Sequence, residues 1–154
     1  MATVKWYGTA INKMATKAIN WNTDTIKVAL VTGSYTPNQD TDSTWANVSA
    51  NEVSGTGYTA GGKTLASKTL TYDNATNTWV FDAADAVWTG LTATFRYAVV
   101  YSTTASNALI CYIDFGSNQV SNATDTTLKW EYSVQDPITG DISTAQGLLK
   151  AVVG

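Results

Sequence analysis

The run Gly55-Thr56-Gly57-Tyr58-Thr59-Ala60-Gly61-Gly62-Lys63-Thr64 ends in Gly-Gly-Lys-Thr, and Gly57 and Gly62 hold the GxxxxGKT spacing of a phosphate-binding loop. That chemistry needs more than spacing. The loop must leave a buried parallel strand and open a helix whose free amides cradle the phosphates. Here the preceding Asn51-Glu52-Val53-Ser54 is mostly polar, and residues 64–72 alternate like a strand. No plausible second Mg2+-ligand segment follows. The glycines therefore read as a turn, and no nucleotide or other cofactor is expected.

A second candidate is Asn38, Asp40 and Asp42, spaced like the first half of a calcium loop. Ser43 stands where that loop needs its sharp-turn glycine, and Ser49 where it needs a bidentate glutamate. Asx turns account for the pattern better. Paired-carboxylate hydrolysis fares no better, because Glu52 and Glu131 are the only glutamates and Asp82 and Asp85 frame a turn. The chain has no histidine, which removes Ser-His and Cys-His nucleophiles and histidine-based zinc sites. Its one cysteine, Cys111, lies in the apolar run Leu109-Ile110-Cys111-Tyr112-Ile113 and reads as a small buried hydrophobe. No catalytic residue, metal site or enzymatic activity is expected. Asn-x-Ser/Thr sequons begin at Asn47, Asn74 and Asn122, as chance allows in a chain of this composition.

Six tryptophans and eight tyrosines remain to be placed. Trp79, Trp88, Trp130, Tyr97 and Tyr132 fall in alternating segments and are expected in the core. Tyr35, Trp45 and Tyr58 fall in irregular sequence, and Trp6 and Tyr7 head the first helical stretch. These five are the candidate contact residues, for a protein interface ahead of a sugar.

The elements that must carry them are read from periodicity. Residues 5–20 suggest an amphipathic helix with Tyr7, Ile11, Met14 and Ala18 on one face and Lys13 and Lys17 opposite. Residues 25–32 alternate with both faces largely apolar, which predicts a central strand covered on both sides. Residues 33–63 are rich in turn-formers and predict one long irregular loop, a form that is usually functional or ordered by a partner. Residues 64–135 are β-rich, with strands expected at 65–72, 78–81, 86–88, 92–101, 108–115 and 126–134. In the remaining tail, 136–154, residues 148–153 fit a last strand better than a helix. The expectation is a single mainly β domain, an antiparallel sandwich or barrel with one N-terminal helix.

Only 14% of the residues are charged, and threonine is the commonest type. A surface of hydroxyls and amides is easier to desolvate than one of ions, so it suits lasting protein contacts. A net charge of −3 with nine lysines and arginines gives no stripe for nucleic acid. No stretch reaches the length of a membrane span, and the first twenty residues lack the apolar run of a signal peptide. The chain is expected to fold where it is made, with no membrane partner.

Three blocks carry a resemblance: TDTIKVALVTGSYTPN at 23–38, NEVSGTGYTAGGK at 51–63, and RYAVVY at 96–101 followed by LICYIDFG at 109–116. In this order they resemble a group of small virion structural proteins of tailed bacteriophages and prophages, over most of the chain up to Gly116. The resemblance implies a non-enzymatic particle component, most simply a capsid decoration (cement) protein. Such proteins clamp the major capsid protein and associate with copies of themselves, often as trimers. It equally allows a tail, neck or baseplate component. A carbohydrate-binding module on a fibre tip is a further alternative.

Overall fold

The computed structural model describes residues 2–75, 77–132, 145–146 and 149–152. The fold is mainly β with antiparallel sheets and one short helix. A long hairpin organises it. Strand β6 (Ala86–Ser102) and strand β7 (Ala108–Leu128) run antiparallel, joined by a tight turn in which Ser106 and Asn107 take positive φ. Strand β2 (Ile26–Val31) pairs with the hairpin-proximal half of β6, from Ser102 to Tyr97. Strand β1 (Thr3–Trp6) pairs with β7 from Asp114 to Cys111, and the two-residue β3 (Lys63–Thr64) closes the far edge. The order of this five-stranded sheet is β1-β7-β6-β2-β3.

A second sheet, in the order β10-β5-β4, is built from β4 (Thr69–Asp73), β5 (Thr78–Asp82) and β10 (Leu149–Val152). The two sheets enclose the larger core, in which Ile26, Val28, Leu30, Trp88, Phe95, Val100 and Ile110 meet Phe81, with Trp21 and Trp130 packed beside it. The smaller core lies on the other face of the five-stranded sheet and gathers Tyr7, Val31, Tyr35, Val48, Tyr97, Val99, Leu109 and Tyr112. Strand β2 is thus covered on both sides, as its apolar faces require, although only the short β3 separates it from the edge.

Several expectations need correction. The helix α1 spans only Gly8–Ala15 instead of 5–20. Residues 3–6 are recruited as a strand because β7 offers them backbone partners, and Tyr7 becomes the residue that caps the helix start. The expected apolar face is buried only in part: Tyr7 is fully buried and Met14 packs against the larger core, but Ile11 is 52% exposed, and within the helix Ala10 alone is fully buried. The strands read separately at 86–88 and 92–101 are one, because Gly90, at φ 58°, absorbs a bulge without ending the pairing. The polar residues 116–125 likewise stay in β7, held by their partners on β6. The last four described residues form a strand in the second sheet. The rest of the expected tail lies outside the described residues, apart from Ala145–Gln146, which pair with Glu131–Tyr132 as β9 and β8.

Candidate interaction surface

The loop 33–63 keeps two short 3-10 turns, Trp45–Asn47 and Ser49–Asn51; its Tyr35, Trp45 and Val48 cover one face of the large sheet, while Val53 and Tyr58 pack with the larger core on the other. Its aromatics reach inward. Tyr35 is 4% exposed and Tyr7 is fully buried. The Tyr35 hydroxyl donates to Asp42 Oδ2 at 2.7 Å, so the Tyr7 hydroxyl, 2.9 Å away, donates to Tyr35. Burial pushes both phenols well above the usual tyrosine range, and the bond Tyr7 gives to Tyr35 raises Tyr7 further. Trp45 stacks flat on Tyr101, with ring centres 4.6 Å apart, and Trp6 meets Phe81 edge-on at 5.4 Å.

Tyr58 is held from both sides of its hydroxyl. It donates to Glu52 Oε1 at 2.7 Å and accepts from the Leu30 amide at 3.1 Å, while its ring stacks over Trp88. Burial chiefly, and then the bond to Glu52, raises the Tyr58 phenol well above the ordinary value. The Gly61 amide donates to the same Glu52 oxygen at 2.6 Å. The five aromatics nominated from sequence therefore brace the fold. Tyr7 and Tyr35 offer no surface, and Trp6, Trp45 and Tyr58 are half-buried against their own chain.

The two chemical motifs resolve in the same way. Gly62 leads into strand β3, not into a helix. It takes φ 72°, where an added Cβ would lie 2.1 Å from the Val28 carbonyl oxygen. At Gly55 a Cβ would come within 2.0 Å of the Thr92 oxygen. These glycines let the loop press on the edges of β2 and β6. Asn38 Oδ1 accepts from the amides of Asp40 and Thr41, and Asp42 Oδ2 from that of Asn38, so these oxygens are spent within the turn. Among the described residues, no three His, Cys, Asp or Glu side chains gather where a metal could bind. Asp82 Oδ1 accepts from the adjacent Ala83 amide, and Asp85 Oδ1 accepts from the amide of Trp130, distant in sequence.

Two surfaces escaped the sequence reading. Trp79, expected in the core, is 40% exposed, as is its cross-strand partner Tyr72, with ring centres 5.3 Å apart. Both sit near the β4–β5 turn, beyond Leu70 and Phe81, which reach the core from the same face. Alternation marks a shared face but not where along it the cover ends. The second surface is the distal half of the β6–β7 ribbon. Its inner residues, Leu91, Ala93 and Phe95, join the larger core. Its outer residues, Val87, Thr89, Thr92 and Thr94 with Val120, Asn122 and Thr127, are exposed, Val120 at 75%. The flanking Arg96 is paired with Asp114 at 3.0 Å, which holds that carboxyl below the usual carboxylate range.

No protein-family model matches the chain, no curated protein is significantly similar to it, and no solved structure matches it.

Proposed function

We propose that this chain is a non-enzymatic structural protein of a tailed-phage particle. In the fullest form of the reading it is a decoration protein, holding the shell by contact with the major capsid protein and with copies of itself. The observation that carries the reading is the outer face of the distal ribbon. It is an exposed patch of threonine, valine and asparagine without an unpaired charge among the residues named. Such a patch loses little on desolvation and tolerates changes of salt. The sequence blocks at 23–38, 51–63, 96–101 and 109–116 supply the phage context. A protein that binds only the assembled shell stabilises that shell by mass action.

Quantitative electrophoresis of purified particles is the direct test. A symmetric shell component is expected at on the order of hundreds of copies per particle. A handful of copies would assign the chain to the tail, neck or baseplate, and none would end the reading. Val120→Lys, on the exposed patch, should abolish particle binding while changing stability by less than about 0.5 kcal/mol. The exposed Tyr72–Trp79 pair favours a second reading, sugar contact at a fibre tip. Glycan-array binding that disappears in Trp79→Ala would support it.

A further inference from the structure

One edge of the distal ribbon is bare. Strand β1 covers the outer edge of β7 only as far as the pair Thr3↔Asp114. Among the described residues, no strand lies beside that edge from Phe115 to Leu128, while β6 holds the other side of β7. The ribbon's opposite edge, on β6, is taken by the glycine loop. There the Thr92 amide donates to the Thr56 oxygen at 2.9 Å, and Gly55 and Gly57 lie close against the Thr92 and Thr89 carbonyls.

The bare edge is interrupted at Gly116, φ 81°, and at Ala123, φ 53°. Between these points Gln119–Asn122 keep strict register with Phe95–Thr92. In a strand paired on one side, every second residue turns its N–H and C=O outward, which makes a template for another strand. Folded proteins usually defend such an edge with a charge or by keeping it short. The other two edges of this sheet follow that rule: β1 has four residues and carries Lys5, and β3 has two and carries Lys63. The stretch from Phe115 to Thr124 has no ionisable side chain, and its Val120 is 75% exposed.

We propose that this edge pairs with the same edge of a second copy, antiparallel about a two-fold axis beside Val120 and Ser121, so that two ribbons join into one four-stranded sheet. A two-fold contact sets a segment against itself, and like charges facing each other across strands are destabilising. An uncharged stretch meets that requirement, whereas the lysine-bearing edges do not. The pairing uses up the bare edge of both copies, so it closes at a dimer. It gives a form to the self-contact in the reading above but rests on the edge alone, and its failure would leave the particle assignment standing.

So short a contact should be weak, with a dissociation constant on the order of 0.1 mM. Sedimentation of the purified chain should therefore show monomer passing to dimer as concentration rises. Amide hydrogen exchange then locates the contact. Within Gln119–Asn122, the alternate amides that exchange freely in dilute solution should become protected in concentrated solution. Proline removes one such donor, so Gln119→Pro or Val120→Pro, chosen at a freely exchanging amide, should weaken dimerisation more than about tenfold while thermal unfolding stays close to wild type. A chain that remains monomeric at about 1 mM would overturn the proposal. So would association that leaves those amides unprotected, or a dimer that survives the proline.

Discussion

Tyr35→Phe should cost more than Tyr7→Phe, although Tyr7 is the more deeply buried of the two. The reason is the direction of the hydroxyl chain, Tyr7 to Tyr35 to Asp42. Removing the Tyr7 hydroxyl deletes one neutral hydrogen bond at the start of the chain, and Tyr35 keeps its carboxylate. That should cost about 1 kcal/mol. Removing the Tyr35 hydroxyl deletes the bond to a carboxylate and strands the buried Tyr7 hydroxyl. Asp42 recovers part of the loss, since it is half-exposed and keeps the Asn38 amide. The net cost should be about 2–3 kcal/mol, most of it the stranded donor. The double variant has no stranded group, so it should be less destabilised than the sum of the singles by about 1 kcal/mol. Equilibrium urea unfolding at pH 7 measures all four proteins, provided the slopes agree. Equal costs for the two single variants, or strict additivity, would refute the directional chain.

The glycines give a paired prediction. Gly62→Ala drives a Cβ into the Val28 backbone and should cost more than about 3 kcal/mol, whereas Gly90→Ala meets nothing within 4 Å and should cost only the left-handed backbone term, about 1–2 kcal/mol. Alkaline stability gives another. Tyr7, Tyr35 and Tyr58 have phenols raised well above 10, and Tyr101 is pushed up to about 12, mainly by burial. A raised phenol stabilises the fold fully below the unfolded pKa, and that contribution is lost as pH climbs from there to the folded value. Each such tyrosine should therefore remove about 1.4 kcal/mol per pH unit above pH 10. Urea midpoints should fall steeply between pH 10 and 12, with phenolate absorbance rising together with unfolding; a flat midpoint would contradict the burial.

Much of the fold was legible because its signals are local. Strand β2 announces itself by Ile26, Val28 and Leu30 alternating with Ala29 and Val31, and the 102–107 turn by its small polar residues. What failed depended on partners distant in sequence. Residues 5 and 6 fell within the expected helix, but β7 claims 3–6 as an edge strand. Gly90 and the polar run 116–125 look like strand ends until the opposite strand supplies their bonds. The surfaces failed for the same reason. Tyr35, Trp45 and Tyr58 lie in irregular sequence and so suggested exposure, but Tyr35 and Trp45 cover the second core and Tyr58 packs on the first. Trp79 lies in a regular strand and so suggested burial, but its hairpin outruns the core.

Cys111 is the single thiol of the chain, fully buried in β7 with Trp6 of β1 on one flank and Val100 of β6 on the other. Burial raises its pKa, so almost no thiolate is present at neutral pH. Loss of β1 alone would bare one side of the strand and leave the packing above and below it in place. A thiol reagent must then wait for the whole sandwich to come apart, and the pace of its reaction becomes a clock for how often the native molecule opens.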